Sequence, residues 1–84
     1  MQEIIRQVTD PLGFHIQLAV LLAGEAKRWR SKVSFESDGR MADAKDLMAL
    51  LAMGVRPGDA VVVRIDGADE RTAADAIERL ARDW

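Results

Sequence analysis

The stretch "PGDAVVVRIDG", residues 57 to 67, constrains the fold of this chain more than any other. Its apolar residues alternate with period two, so Val61, Val63 and Ile65 point to one side of a strand over Ala60 to Asp66. Pro-Gly before it and Gly67 after it mark its ends. One strand cannot bury its own face, so other segments must supply partners and a cover. Residues 2 to 8, "QEIIRQV", are rich in β-branched residues and read as another strand. Lys32 to Glu36 alternates so that Val33 and Phe35 point in, and Asp38-Gly39 is a hairpin signal that returns the chain through Met41 and Ala42.

Three segments carry the other period. Ile16 to about Trp29 places Ala19, Leu22, Ala23, Ala26 and Trp29 on one helical face. Lys27, Arg28 and Arg30 sit at its carboxyl end, where cations suit the helix dipole. A shorter helix is expected over Asp43 to Met53, stopped by Gly54. Asp69 is the expected N-cap of a last helix with Ala73, Ile77, Leu80, Ala81 and Trp84 as its apolar stripe. The order βαββαβα in 84 residues predicts a single domain over 1–84 of the α/β (α+β) class. Its form is an open two-layer sandwich, with three helices on one face of a four-stranded, mostly antiparallel sheet. Trp29, Phe35, Val61, Val63, Ile65, Ile77 and Leu80 are expected to be buried.

Several function classes fall away on composition. Twelve Lys and Arg against fourteen Asp and Glu give a net charge of −2, which exerts no general pull on nucleic acid or an anionic membrane. The cluster "KRWRSK" at 27 to 32 reads as a solvated helix end, since Trp29 continues the core stripe. One histidine and no cysteine exclude the usual zinc arrangements, so no metal and no cofactor is expected. The absence of cysteine, of a signal peptide and of an apolar run long enough to span a bilayer points to a soluble, cytoplasmic chain. A monomer is expected.

The single histidine lies in "DPLGFHIQLAVLLAG", between a glycine turn and the first helix. A helix amino terminus offers free N–H groups and a partial positive charge, which together hold anions. A phosphoryl group on His15 would meet the backbone N–H groups of Ile16, Gln17 and Leu18, and Gly13 permits the tight turn that exposes the ring. On composition alone, a plain helix-starting histidine without chemistry is the simpler reading.

The surrounding blocks change that balance. "LGFH" at 12 to 15 followed by Ala19, "SDGR" at 37 to 40 with "DAKDLMALLAMGV" at 43 to 55, and "PGDAVVVRIDGADE" at 57 to 70 together resemble the HPr family. These are the histidine-containing phosphocarrier proteins of the bacterial sugar phosphotransferase system. The resemblance covers nearly the whole chain. It implies that His15 is the phosphoacceptor, charged by enzyme I from phosphoenolpyruvate and discharged to sugar-specific acceptor proteins in sugar transport. Such a chain is a phosphoryl carrier rather than a turnover catalyst. The motif departs from the family, which usually reads His-Ala-Arg-Pro-Ala; here it is His15-Ile16-Gln17-Leu18-Ala19. Gln17 replaces an arginine and so supplies a donor without charge. Leu18 replaces a proline and restores one backbone N–H.

The resemblance also implies a regulatory position at Asp46, where many Gram-positive members carry a serine. Asp46 cannot accept that phosphate. It reads as a favourable early-helix residue, with partial imitation of a phosphate left open. Two short helices side by side around His15 would expose Ile16, Val20, Leu47, Met48 and Leu51 as a partner-binding patch rimmed by Gln17, Arg56 and Lys27. A second function class stays open: a divergent docking or regulatory module that keeps the fold and patch with weak or no phosphotransfer.

Overall fold

The computed structural model describes residues 1–84. Ala60–Asp66 forms the expected strand, β4, and lies in the interior of the sheet, where its alternation serves best. It pairs on one side with β1 (Gln2–Gln7) and on the other with β2 (Lys32–Ser37), which in turn pairs with β3 (Arg40–Asp43). The strand order is β1-β4-β2-β3 and every pairing is antiparallel, with Val63 opposite both Ile4 and Phe35. The β2–β3 turn places Asp38 at φ 53° and Gly39 at φ 75°, the two successive left-handed residues that a two-residue hairpin with matching twist requires.

Three helices complete the chain: α1 (Ile16–Lys27), α2 (Leu47–Ala52) and α3 (Glu70–Ala81). Ile4, Val33, Phe35, Val61, Val63 and Ile65 turn to the helices, which answer with Ala19, Leu22, Ala23, Ala26, Leu50, Ala73 and Ile77, all buried. Ile5, Met41 and the ion-paired Glu3, Arg64 and Glu36 lie on the opposite, open face of the sheet. This is the two-layer architecture the sequence predicts, with a sheet that is wholly rather than mostly antiparallel.

Several local expectations are corrected. The first strand ends at Gln7, and Val8 is buried just beyond it. The second helix starts at Leu47, not Asp43. Asp43 still pairs with Ser34 as the last residue of β3, and its carboxylate then accepts the Lys45 N–H in a turn. Asp46 is the N-cap, its Oδ1 accepting the Ala49 N–H at 3.1 Å. The first helix stops at Lys27, with Arg28 as its C-cap.

Trp29 therefore leaves the helical stripe and is only half-buried. Its indole N–H donates to Glu25 at 2.9 Å beside a gap between α1 and α3 that half-buried Leu80 also lines. Asp69 is the N-cap of α3, as expected, and its carbonyl accepts the Ala73 N–H at 2.9 Å, but its side chain makes no cap bond. Its carboxylate instead accepts the N–H groups of Arg30 and Ser31 and the Ser31 hydroxyl. These bonds, the hydroxyl first and the Arg30 N–H next, hold the Asp69 carboxyl below its ordinary range. They also tie the end of α1 to the start of α3.

Candidate functional site

His15 is the N-cap of α1. Its backbone is extended, at φ −84° and ψ 178°, and its carbonyl accepts the Ala19 N–H at 3.0 Å. A histidine is an uncommon cap, and the ring does the work a hydroxyl or carboxylate usually does. Nδ1 accepts the Gln17 N–H at 3.3 Å. The N–H groups of Ile16 and Leu18 precede the first intrahelical bond and take no backbone partner elsewhere. Of the three expected donors, the Gln17 N–H is engaged by Nδ1, and the Ile16 and Leu18 N–H groups are without a partner in the same helical turn.

The loop before the helix is held from three directions. Gly13 N–H donates to the Asp10 carbonyl at 2.9 Å, closing the Asp10–Gly13 turn. Gly13 has φ 73°, and a Cβ there would stand 2.5 Å from the Val55 carbonyl oxygen, so the 55–57 turn packs directly on this glycine. Phe14 N–H donates to the same Val55 oxygen at 3.2 Å. The Phe14 ring is buried against Phe35, with centroids 4.7 Å apart, and stands nearly perpendicular to the Trp84 ring, with centroids 5.0 Å apart. Finally the Trp84 carbonyl accepts the N–H groups of Thr9 and Asp10 at 2.7 and 2.9 Å. His15 is thus mounted on a rigid turn between two anchored residues.

Asp10 completes the site. Its Oδ1 accepts the Leu12 N–H at 2.9 Å, and its Oδ2 lies 3.3 Å from His15 Nε2. The Leu12 bond most of all, and then the hydrogen bond and charge of His15, hold the Asp10 carboxyl below its ordinary range. It is therefore ionised at neutral pH. Asp10 is the candidate-site residue that the sequence does not announce. "DPLG" reads as a turn, and that an aspartate at its first position would keep one oxygen for a ring five residues on is a tertiary fact.

The expected partner surface is brought together in part. Ile16 and Val20, 57% and 48% exposed, line one shallow apolar depression with Gln17 and with Leu21, which the expected patch omitted. Met48 is 72% exposed on α2. Leu47 and Leu51 are half-buried and pack against the core rather than standing free at the surface. Of the expected rim, Gln17, Lys27 and Arg56 are all exposed, and Arg56 also lines a polar cleft with Asp38, Arg40 and Asp59. The Asp46 carboxylate is committed to capping α2, which gives that residue a structural task.

Residues 3–83 match the family model described as the PTS HPr component phosphorylation site. The phosphocarrier protein HPr of Mycoplasma pneumoniae is 32% identical over 81 residues, covering 95% of this chain and 92% of that protein. The solved structure of a mycoplasma histidine-containing phosphocarrier protein superposes with a TM-score of 0.94 at 27% identity, covering 98% of this chain and 93% of the other. HPr from Thermoanaerobacter tengcongensis gives 0.89 at 28% identity, covering 98% and 92%.

Proposed function

Because this chain belongs to the HPr family of phosphotransferase-system phosphocarriers, we propose that it carries a phosphoryl group on Nδ1 of His15, between enzyme I and sugar-specific acceptor proteins. The observation that carries the reading is the placement of Nδ1 at the open amino end of α1, with the Gln17 N–H upon it and the Ile16 and Leu18 N–H groups unpaired. The soluble phosphotransferase proteins meet in the cytoplasm, and no helix here is long and apolar enough to cross a membrane.

The chemistry follows from those positions. The Nδ1 lone pair attacks the donor's phosphorus; a P–N bond forms, and the bond to the donor breaks with its electron pair leaving on the donor. The phosphoryl oxygens then lie where the helix amino terminus can hold them. This is electrostatic stabilisation by donors fixed in advance. Discharge reverses the sequence: an acceptor nucleophile takes the phosphorus and the P–N electrons return to Nδ1. The holding must be moderate, since a carrier that binds its cargo too well cannot release it. Gln17 suits such moderation. Its side chain is exposed and makes no hydrogen bond within the chain, so its amide can reach a phosphoryl oxygen, but without charge.

Ile16, Val20, Leu21 and Met48 form the docking surface in this reading. Their exposure adds little to folding and suits an apolar partner face. The test is incubation with phosphoenolpyruvate and enzyme I, followed by detection of acid-labile phosphate. The natural protein takes one label and His15→Ala none. No label on the natural protein would leave a docking module without phosphotransfer. Label persisting in His15→Ala would place the chemistry elsewhere.

A further inference from the structure

We infer that Asp10 is the positioning residue that holds the His15 ring as its Nε2–H tautomer throughout the transfer, an inference resting on the carrier reading of His15. An ionised carboxylate only accepts hydrogen bonds, so the ring nitrogen 3.3 Å from Asp10 Oδ2 must carry a proton. A neutral imidazole has one protonated nitrogen, so Nδ1 keeps the lone pair. The Gln17 N–H at Nδ1 asks for the same tautomer, but that partner cannot last. Once a phosphoryl group occupies Nδ1, the Gln17 N–H turns from nitrogen to phosphoryl oxygen. Asp10 is then the one remaining polar contact that fixes the ring plane.

The carboxylate is built to stay in place. Its other oxygen is tied to the Leu12 N–H, its own N–H to the Trp84 carbonyl and its carbonyl to the Gly13 N–H. Asp10 and His15 are mostly covered, with side-chain exposures of 25% and 18%. Asp10 also stands on the side of the ring away from Nδ1, so its charge meets the ring before it meets the incoming phosphoryl group. When Nδ1 attacks phosphorus, the ring becomes a phosphoimidazolium whose positive charge and Nε2 proton face Asp10. When the P–N bond breaks, its electrons return to Nδ1 and the proton has not moved. Neither direction needs a proton transfer. A carboxylate that orients an imidazole by its second nitrogen is a recurrent arrangement, and removing its acceptor character spoils the tautomer.

Asp10→Asn separates this role from the turn. The Leu12 N–H keeps the amide oxygen where Oδ1 stood, which turns the amide NH2 toward Nε2, donor against donor. Two-bond ¹H–¹⁵N spectra of the unphosphorylated full chain, at a pH where the ring is neutral, should show His15 almost wholly as Nε2–H. In Asp10→Asn that preference should be lost or reversed, with little change in Tm, and phosphorylation by phosphoenolpyruvate and enzyme I should slow about tenfold or more. Asp10→Ser, whose hydroxyl can still accept the Leu12 N–H, should give a mixture of tautomers. A natural protein in the Nδ1–H form, or a tautomer unchanged in both variants, overturns the inference, as does a changed tautomer with an unchanged rate. A tautomer that responds to Asp10→Asn in a protein that takes no phosphate would uphold the ring's orientation by Asp10 and refute the carrier reading.

Discussion

Gly13→Ala tests how the site is mounted. Gly13 sits at φ 73°, which costs a non-glycine residue about 1–2 kcal/mol. The added Cβ would also stand 2.5 Å from the Val55 carbonyl oxygen, 3.2 Å from Arg56 Cα and 3.2 Å from Pro57 Cδ. The first two neighbours are backbone and the third is a proline ring, so none can swing aside as a flexible side chain would. The 55–57 turn must retreat, and the 3.2 Å bond from Phe14 N–H to the Val55 oxygen weakens with it, a further loss of about 0.5–1.5 kcal/mol. The expected cost is about 2–4 kcal/mol, a large share of the stability of a domain this size. Gly39→Ala is the control: its φ is 75° but no atom lies within 4 Å of its Cβ position, so only the backbone cost of about 1–2 kcal/mol applies. Urea titration of the two variants compares them directly, and each kcal/mol also moves Tm by about 4–8 °C. Equal destabilisation would refute the argument, because the 55–57 turn would then not be holding the loop that carries Asp10 and His15.

Three further outcomes are expected. Met48→Asp should change stability by no more than about 0.5 kcal/mol while weakening enzyme I binding, whereas Leu50→Ala, 1% exposed, should cost about 2–5 kcal/mol; thermal melts and a binding titration check both. Asp69 has a lowered carboxyl pKa, so its stabilisation is present above the unfolded-state value and is lost as pH falls through the lower folded-state value. Asp69→Asn should accordingly be less stable at neutral pH and should lose less stability than the natural protein on acidification, as read by urea titrations along a pH series. Gln17→Arg should raise the phosphotransfer rate about tenfold, the return on one charge-assisted contact of about 1.4 kcal/mol at an exposed position, measured by rapid-quench labelling.

The sequence made the sheet legible because β4 and β2 alternate strictly and the Asp38-Gly39 turn sets their hairpin partner. The helices were legible in type and less so in extent. The second begins four residues later than its pattern predicts, because Asp43 and Asp46 are both plausible starts; only the pairing of Asp43 with Ser34 shows that the chain is still a strand there. Asp69 occupies the N-cap of α3 as its sequence position predicts, but its carboxylate answers Arg30 and Ser31, nearly forty residues away in sequence, and no local pattern reports such a bond. Trp29 and Leu80 fit the helical stripes yet both line a gap between α1 and α3. At the site, His15 and the three N–H groups were readable from a histidine at a helix start. Asp10 was not, since the contact depends on how the Asp10–Gly13 turn is pressed against Val55 and Trp84. Leu47 and Leu51 share the spacing of Ile16 and Val20, and spacing alone does not tell an apolar face turned to solvent from one turned to the core.

The regiochemistry of phosphorylation decides whether the amino end of α1 is where the phosphoryl group is carried. ³¹P–¹⁵N correlation spectra of the chain, labelled with ¹⁵N at histidine and phosphorylated by phosphoenolpyruvate and enzyme I, report which ring nitrogen bears phosphorus. With Nδ1 at the open end of α1 and Nε2 turned to Asp10, a single P–N coupling is expected, to Nδ1 of His15. Phosphorus on Nε2, or a phosphorylated protein with no coupling to His15, would contradict it.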